Sequence, residues 1–240
     1  MTLKNKKTLE RAVIVEFFGL PGSGKTAIHD IINQRLIDKG LDVAPQEELI
    51  QWLRNHLRLF KASLALKRPI WAFISLFYCL DPFGFSVFKN KFLITRIVST
   101  ISSTVYLKNF LTKRKPDIFL LDQYTVQNIW STWVGQEIPD IQVLSRIIKH
   151  SDSYLRRKYI FFEIDPKSVS KRIANRNRGT SRFDGYDADT IKKMLQPESN
   201  LMNEILEAVR FKGNDLLIVD ALKTPEESAD IVMDWLNLAD

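Results

Sequence analysis

The chain has 240 residues, 45% hydrophobic and 26% charged, with a formal net charge of +7. Length and composition suit one globular α/β domain with an insertion and a sizeable core. The single cysteine, Cys79, excludes an internal disulfide, and the polar stretch Met1 to Arg11 lacks the apolar run of a secretory signal, so a cytoplasmic location is expected.

Val13 to Phe18 is β-branched and aromatic and ends at glycine, which predicts a buried strand. Ala27 to Lys39 places Ile28, Ile31, Ile32, Leu36 and Ile37 at helical spacing, with Gly40 as its C-cap. Leu41 to Ala44 predicts a second strand. From Glu48 to Lys115 periodic apolar residues predict several helices, with breaks at Pro69, Pro82 and Gly84. Asp117 to Asp122 predicts the next strand, and Thr125 to His150 a helical stretch broken near Gly135 to Asp140. Tyr159 to Ile164 predicts a strand, Pro166 to Asn175 a helix, Arg176 to Asp187 a polar loop and Ala188 to Phe211 a helix. Leu216 to Val219 predicts the last strand and Pro225 to Leu238 the last helix. Strands alternating with helices imply a three-layer α/β/α fold around a mainly parallel five-stranded sheet. No repeat and no clean domain boundary interrupts it, so residues 1–240 are expected to form one domain.

Gly19-Leu20-Pro21-Gly22-Ser23-Gly24-Lys25-Thr26 matches G-x-x-x-x-G-K-[ST] without a mismatch. Glycines let successive N–H groups turn towards phosphate oxygens, and the following helix offers its positive end. Lysine can reach the β- and γ-phosphates and threonine can hold Mg2+. A chance glycine-rich turn is the alternative, but the motif sits between a predicted strand and a predicted helix, its confirming context. A guanine-reading Asn-Lys-x-Asp element is missing, since Asn90-Lys91-Phe92-Leu93 lacks the aspartate, and no Leu-Ser-Gly-Gly-Gln signature is present. ATP with Mg2+ is the expected cofactor pair.

Three further segments carry a resemblance. Glu47 is followed five residues later by Trp52. Arg172-Ile173-Ala174-Asn175-Arg176-Asn177-Arg178-Gly179-Thr180-Ser181-Arg182-Phe183-Asp184 is arginine-rich, and Val219-Asp220-Ala221 precedes Thr224-Pro225-Glu226-Glu227. In this order, after the phosphate loop, they resemble the thymidylate kinase and deoxynucleoside kinase group of P-loop kinases. The resemblance implies a small-molecule kinase in which Glu47 is the base near the acceptor hydroxyl and residues 172–187 form a lid over ATP. It implies catalytic roles for Lys25, Glu47, Asp122, Arg176, Arg178 and Arg182. It implies ATP-binding roles for Gly19, Pro21, Gly22, Ser23, Gly24, Lys25, Thr26, Ala27 and Arg172, and metal-binding roles for Thr26 and Asp122.

Each role has a plainer alternative. The arginines suit phosphate oxygens because a guanidinium grips two at once, but they also suit a solvated helix end. Asp122 stands at the carboxyl edge of a strand, where α/β sheets bind ligands, or is a strand-end cap. Glu47 can serve an alkoxide-forming acceptor or simply favour a helix N-terminus. Two departures bear on the acceptor: Glu48 replaces the proline that usually follows the glutamate, and Gln123 replaces the arginine that usually follows the acid of the third strand. The default acceptor is a nucleotide or nucleoside, with a sugar, lipid-linked or other small metabolite as the alternative. An ATP-binding regulatory protein with little transfer activity is the reading from another class. His29, His56 and His150 do not sit at ligand spacing, so no zinc site is expected.

From Arg54 to Lys115 the chain holds twelve Lys or Arg and one acid, Asp81, so this insert of about residues 48–115 outweighs the whole chain's net charge. It includes the apolar run Ile70 to Leu80, too short for a membrane span. Core helices over the acceptor, peripheral association with an anionic membrane, and a homodimer interface all remain open for it. No specific nucleic-acid partner is expected.

Overall fold

The computed structural model describes residues 12–54, 91–137, 139–152, 155, 157–176, 182–183, 185–211 and 213–237. In chain order the elements are β1 (Val13–Gly19), α1 (Lys25–Asp38), β2 (Val43–Ala44), α2 (46–54), α3 (Lys91–Arg114) and β3 (Ile118–Leu121). They continue with α4 (Thr125–Trp133), α5 (Ile141–Asp152), β4 (Arg157–Glu163), α6 (Pro166–Asn175), α7 (Ala188–Phe211), β5 (Asp215–Asp220) and α8 (Pro225–Leu236). The strands form one sheet in the order β2-β3-β1-β4-β5, and every pairing is parallel. The expected α/β/α fold is therefore present, with a sheet that is wholly parallel.

Alternation along β1 assigns the faces, because successive strand residues point to opposite sides. Phe17 meets His29 of α1 edge-on at 5.7 Å. Its neighbour Glu16 accepts from the N–H of Val126 in α4 at 2.6 Å. Helices α1 and α4 thus cover opposite faces. α8 packs on α1, whereas α4, α5 and α6 all pack on α7. The larger apolar core runs through both layers, and a second one joins Leu49 of α2, Leu107, Phe110 and Leu111 of α3, and Phe119 of β3.

Local chemistry sets the helix ends. α1 stops in a Schellman turn, with Gly40 N–H on Ile37 O at 2.8 Å and Leu41 N–H on Leu36 O at 3.1 Å. Asp165 caps α6 by accepting from the N–H groups of Lys167 and Ser168, both 2.9 Å. Thr224 and Glu227 form a reciprocal capping box at the start of α8, with Pro225 in its first turn. Arg114, in the last turn of α3, grips Asp42 at 2.6 and 2.7 Å and Glu48 at 2.9 Å, so that helix is tied to the edge of the sheet.

Two boundaries move for a physical reason. α1 begins at Lys25, not Ala27, because Gly24 already takes the left-handed turn that starts it (φ 92°). β4 begins at Arg157 rather than Tyr159, because Arg157 is buried in an ion pair with Glu16, 2.9 Å. Of the basic insert, α2 and α3 are described. Ile70 to Leu80, Cys79 and the predicted breaks at Pro69, Pro82 and Gly84 lie outside the described residues, as do the membrane and dimer surfaces expected there. Among the described residues no helix is long and apolar enough to cross a membrane.

Candidate active site

β1 ends at the centre of the sheet, and the chain turns from it through residues 20–24 into α1. Gly22 is required there by space: a Cβ on it would lie 2.9 Å from Cγ1 of Ile173 in α6. The loop therefore rests on α6. Gly24 starts α1 at positive φ with no side-chain cap, and the first turn holds no acid. A helix N-terminus left without such partners keeps N–H groups for an anion.

Lys25 lies back over this loop and is buried. Its Nζ donates to Gly19 O at 3.0 Å, Leu20 O at 2.9 Å and Ser23 Oγ at 3.1 Å. Burial pulls its pKa down to about 8, against Asp122, which favours the charged form, and together with Arg176, which disfavours it.

Asp122 follows β3, next to the loop in the sheet. Its Oδ2 accepts from Thr26 Oγ1 at 2.9 Å, and its N–H donates to Oε1 of Gln46 at 2.9 Å. Its Oδ1 is buried with no hydrogen-bond partner among the described residues. The Thr26 hydroxyl and the Asp122 carboxylate, with its spare buried oxygen, are hard oxygen donors. That set fits Mg2+, which is commonly held by one or two carboxylates plus substrate phosphates. Among the described residues no group of three or more His, Cys, Asp or Glu gathers as a metal site.

Arg176 leaves the C-terminal end of α6, its N–H on Ile173 O at 3.2 Å. Its side chain is half-buried, and Nε has no hydrogen-bond partner among the described residues. Ile173 supports the phosphate loop and Arg176 repels Lys25, so α6 couples the arginine segment to the loop. Arg172 and Ala27 are exposed. Arg182 makes its described contacts elsewhere: it pairs with Glu198 of α7 at 2.6 Å and lies over the rings of Phe183 and Trp130. Arg178 lies outside the described residues. Glu47 is exposed on α2, and the neighbouring Gln46 makes the contact to Asp122.

α3 and α4 pack on each other. Arg96 donates to Ser131 Oγ at 3.1 Å, and Tyr124 OH donates to Ser103 O at 2.9 Å. Gln127, three residues after Tyr124 and four before Ser131, lies on the same helical face as these two contacts. It is buried, with Oε1 lacking a partner among the described residues. No sequence motif points to Gln46, Gln127 or Glu16. Glu16 did leave a signal, a charge inside the apolar strand Val13 to Phe18, which a buried strand accepts only if it is paired.

No family model and no curated protein matches this chain. Among solved structures, a deoxyadenosine kinase from M. mycoides, with the products dCMP and dCDP bound, matches with a TM-score of 0.50 at 14% identity, over 93% of this chain and 98% of that one. The chain shares the fold of that structure. Structures of deoxyadenosine kinase from M. mycoides with dATP and with dCTP bound give TM-scores of 0.49 and 0.48 at 14% and 15% identity. They cover 93% and 94% of this chain and 99% and 100% of theirs. Within this fold, the cluster of Lys25, Thr26 and Asp122 lies where β1 and β3 end side by side.

Proposed function

We propose that this chain is an ATP-dependent phosphotransferase that moves the γ-phosphate of Mg·ATP to a small acceptor, by default a nucleoside or nucleotide. The observation that carries the reading is the contact between Thr26 of the phosphate loop and Asp122 of the neighbouring strand, with Asp122 Oδ1 left over. A loop that only binds phosphates has no need of that carboxylate; phosphoryl transfer does, because charge must be neutralised between the β- and γ-phosphates. Bound at Thr26 and Asp122, Mg2+ would supply that neutralisation.

The protein's own groups do the rest. The N–H groups of the loop and the first turn of α1, from Gly22 to Ala27, hold phosphate oxygens, with Gly19 and Pro21 shaping the turn. Lys25 exchanges its three protein oxygens for phosphate oxygens. Arg176 brings a guanidinium from the end of α6, and Arg172, Arg178 and Arg182 complete a lid over residues 172–187. Arg182 joins only by leaving Glu198. Glu47 serves as base for an acceptor hydroxyl. The acceptor lies against the polar strip of Arg96, Thr100 and Gln127, under the helical insert of about residues 48–115, all within one kinase domain.

Gln123 supports a second reading for the acceptor. It is exposed on the turn after Asp122, at the position where the resemblance implies an arginine, so a neutral amide stands there in place of that one cation. A sugar or another small metabolite suits that neutral position. A mass-spectrometric screen with Mg·ATP tests both readings, using deoxynucleosides and thymidylate first, then sugars and lipid-linked species. A +80 Da product from a nucleoside or nucleotide supports the first reading, where 80 is about the mass a transferred phosphoryl group adds. A phosphorylated sugar alone supports the second. ATP binding with no phosphorylated acceptor at all favours a regulatory protein.

A further inference from the structure

We propose that Glu16 is a positioning residue for Asp122, acting from the sheet through the start of α4; this rests on the proposed Mg·ATP site. Helix α4 begins at Thr125, and its N-cap residue Tyr124 gives it no side-chain hydrogen bond. The cap comes from another element. Glu16, fully buried in the middle of β1, accepts from the N–H of Val126 at 2.6 Å through one oxygen. Its other oxygen accepts from Arg157 at 2.9 Å, and the same Arg157 nitrogen donates to the hydroxyl of Thr125. The first two residues of α4 are thus each held by a side chain from the sheet.

Only the turn 122–124 separates this anchor from β3. Asp122 stands on that turn, gripped on the β3 side by Gln46 and on the loop side by Thr26. With both ends of the turn fixed, the carboxylate is held towards the phosphate loop. Because Glu16 stands three residues before Gly19, one strand carries both the loop and the group that sets the height of α4. The geometry makes the separation of Thr26 and Asp122 a property of β1 rather than of the turn alone. Partners that orient a metal ligand commonly govern metal affinity by about 10- to 100-fold.

The readout is the gain in ATP affinity produced by Mg2+, measured by calorimetry as the ratio of Kd in EDTA to Kd in Mg2+. The main variant is the double substitution Glu16→Leu with Arg157→Met. It replaces a buried ion pair by apolar side chains, which is often neutral for stability, and it leaves Val126 N–H without its acceptor. The metal-dependent gain is expected to fall at least about tenfold, with Kd in EDTA unchanged. Asp152→Asn disturbs Arg157 from its far side, 3.8 Å away, without touching α4, and is expected to keep the wild-type ratio. If the double variant does not fold, Thr125→Val removes the second anchor alone and is expected to lower the same ratio. An unchanged ratio in a folded double variant, or in Thr125→Val used in its place, overturns the proposal, as does an equal fall in Asp152→Asn. A wild-type protein that binds ATP with no gain from Mg2+ overturns the metal site itself, a result that separates the two failures.

Discussion

At the scale of single residues, Lys25 ties electrostatics to ligand binding. Burial leaves its amine at about 8, below the ordinary 10.5, and triphosphate oxygens would restore the charged form. Between those values the free protein has lost a proton that the bound one keeps. ATP binding is therefore expected to take up a proton above about pH 8, and affinity is expected to fall as pH rises through that value. Calorimetry in two buffers of different ionisation enthalpy measures the uptake; none at all would show that the lysine does not meet phosphate. Gly22 gives a steric counterpart. Its φ of 85° and the 2.9 Å approach to Ile173 mean that Gly22→Ala must shift the loop or α6. The variant is expected to lose ATP affinity by tenfold or more, since about 1.4 kcal/mol suffices for that, and fluorescence titration checks it. The loop was legible residue by residue because glycine, lysine and threonine are needed at fixed spacing. Gln46 was not, because nothing in a sequence says which of two neighbouring polar residues, Gln46 or Glu47, turns towards Asp122.

At the scale of elements, the helices that were easiest to read carry their own caps. Asp165 before Pro166, and Thr224 before Pro225-Glu226-Glu227, end up as N-caps that match their local sequence. Thr224→Ala is expected to cost about 1 kcal/mol, read from denaturant unfolding with unchanged ATP affinity. α4 behaves differently, since its cap is Glu16, distant in sequence, and no local pattern announces it. The same network has a pH signature. Burial lifts Glu16 to about 7 from its ordinary 4.5, against the pull of Arg157. The native state then holds a proton that the unfolded chain has released, so stability is expected to fall as pH rises from about 4.5 to 7. Asp152 is raised by burial in the same direction. Asp42, held low by its hydrogen bonds to Arg114, and Asp165, held low by its bonds to Ser168, act at more acid pH, where stability is lost as they protonate. The Glu16→Leu, Arg157→Met variant is expected to flatten the slope between 4.5 and 7 in urea unfolding. An unchanged slope would place the buried proton on another group.

At the scale of the whole molecule, the parallel sheet followed from strands alternating with helices. Parallel neighbours need crossovers, and these crossovers read clearly from α1 and from α6 to α8. The strand order was not legible, because β3 slips between β2 and β1 only after the long insert between β2 and β3. That order brings Asp122 beside Thr26 from 96 residues away. It explains why two weak sequence signals become one site in space. The acceptor half stays less legible for a related reason. The face proposed for it is shared between α3 and α4, which come together through helix packing rather than through any motif.

Phosphoryl transfer driven from this loop is the activity proposed for the chain. Its most direct measurement is the rate of γ-phosphate transfer from Mg·ATP to the acceptor found by the screen, in the wild type and in Lys25→Ala, each with its Kd for ATP. Transfer by the wild type and its loss by about 100-fold or more in Lys25→Ala is the predicted result, in keeping with removal of one transition-state donor. Equal rates in the two proteins, or ATP binding by the wild type with no transfer to any acceptor, would contradict it.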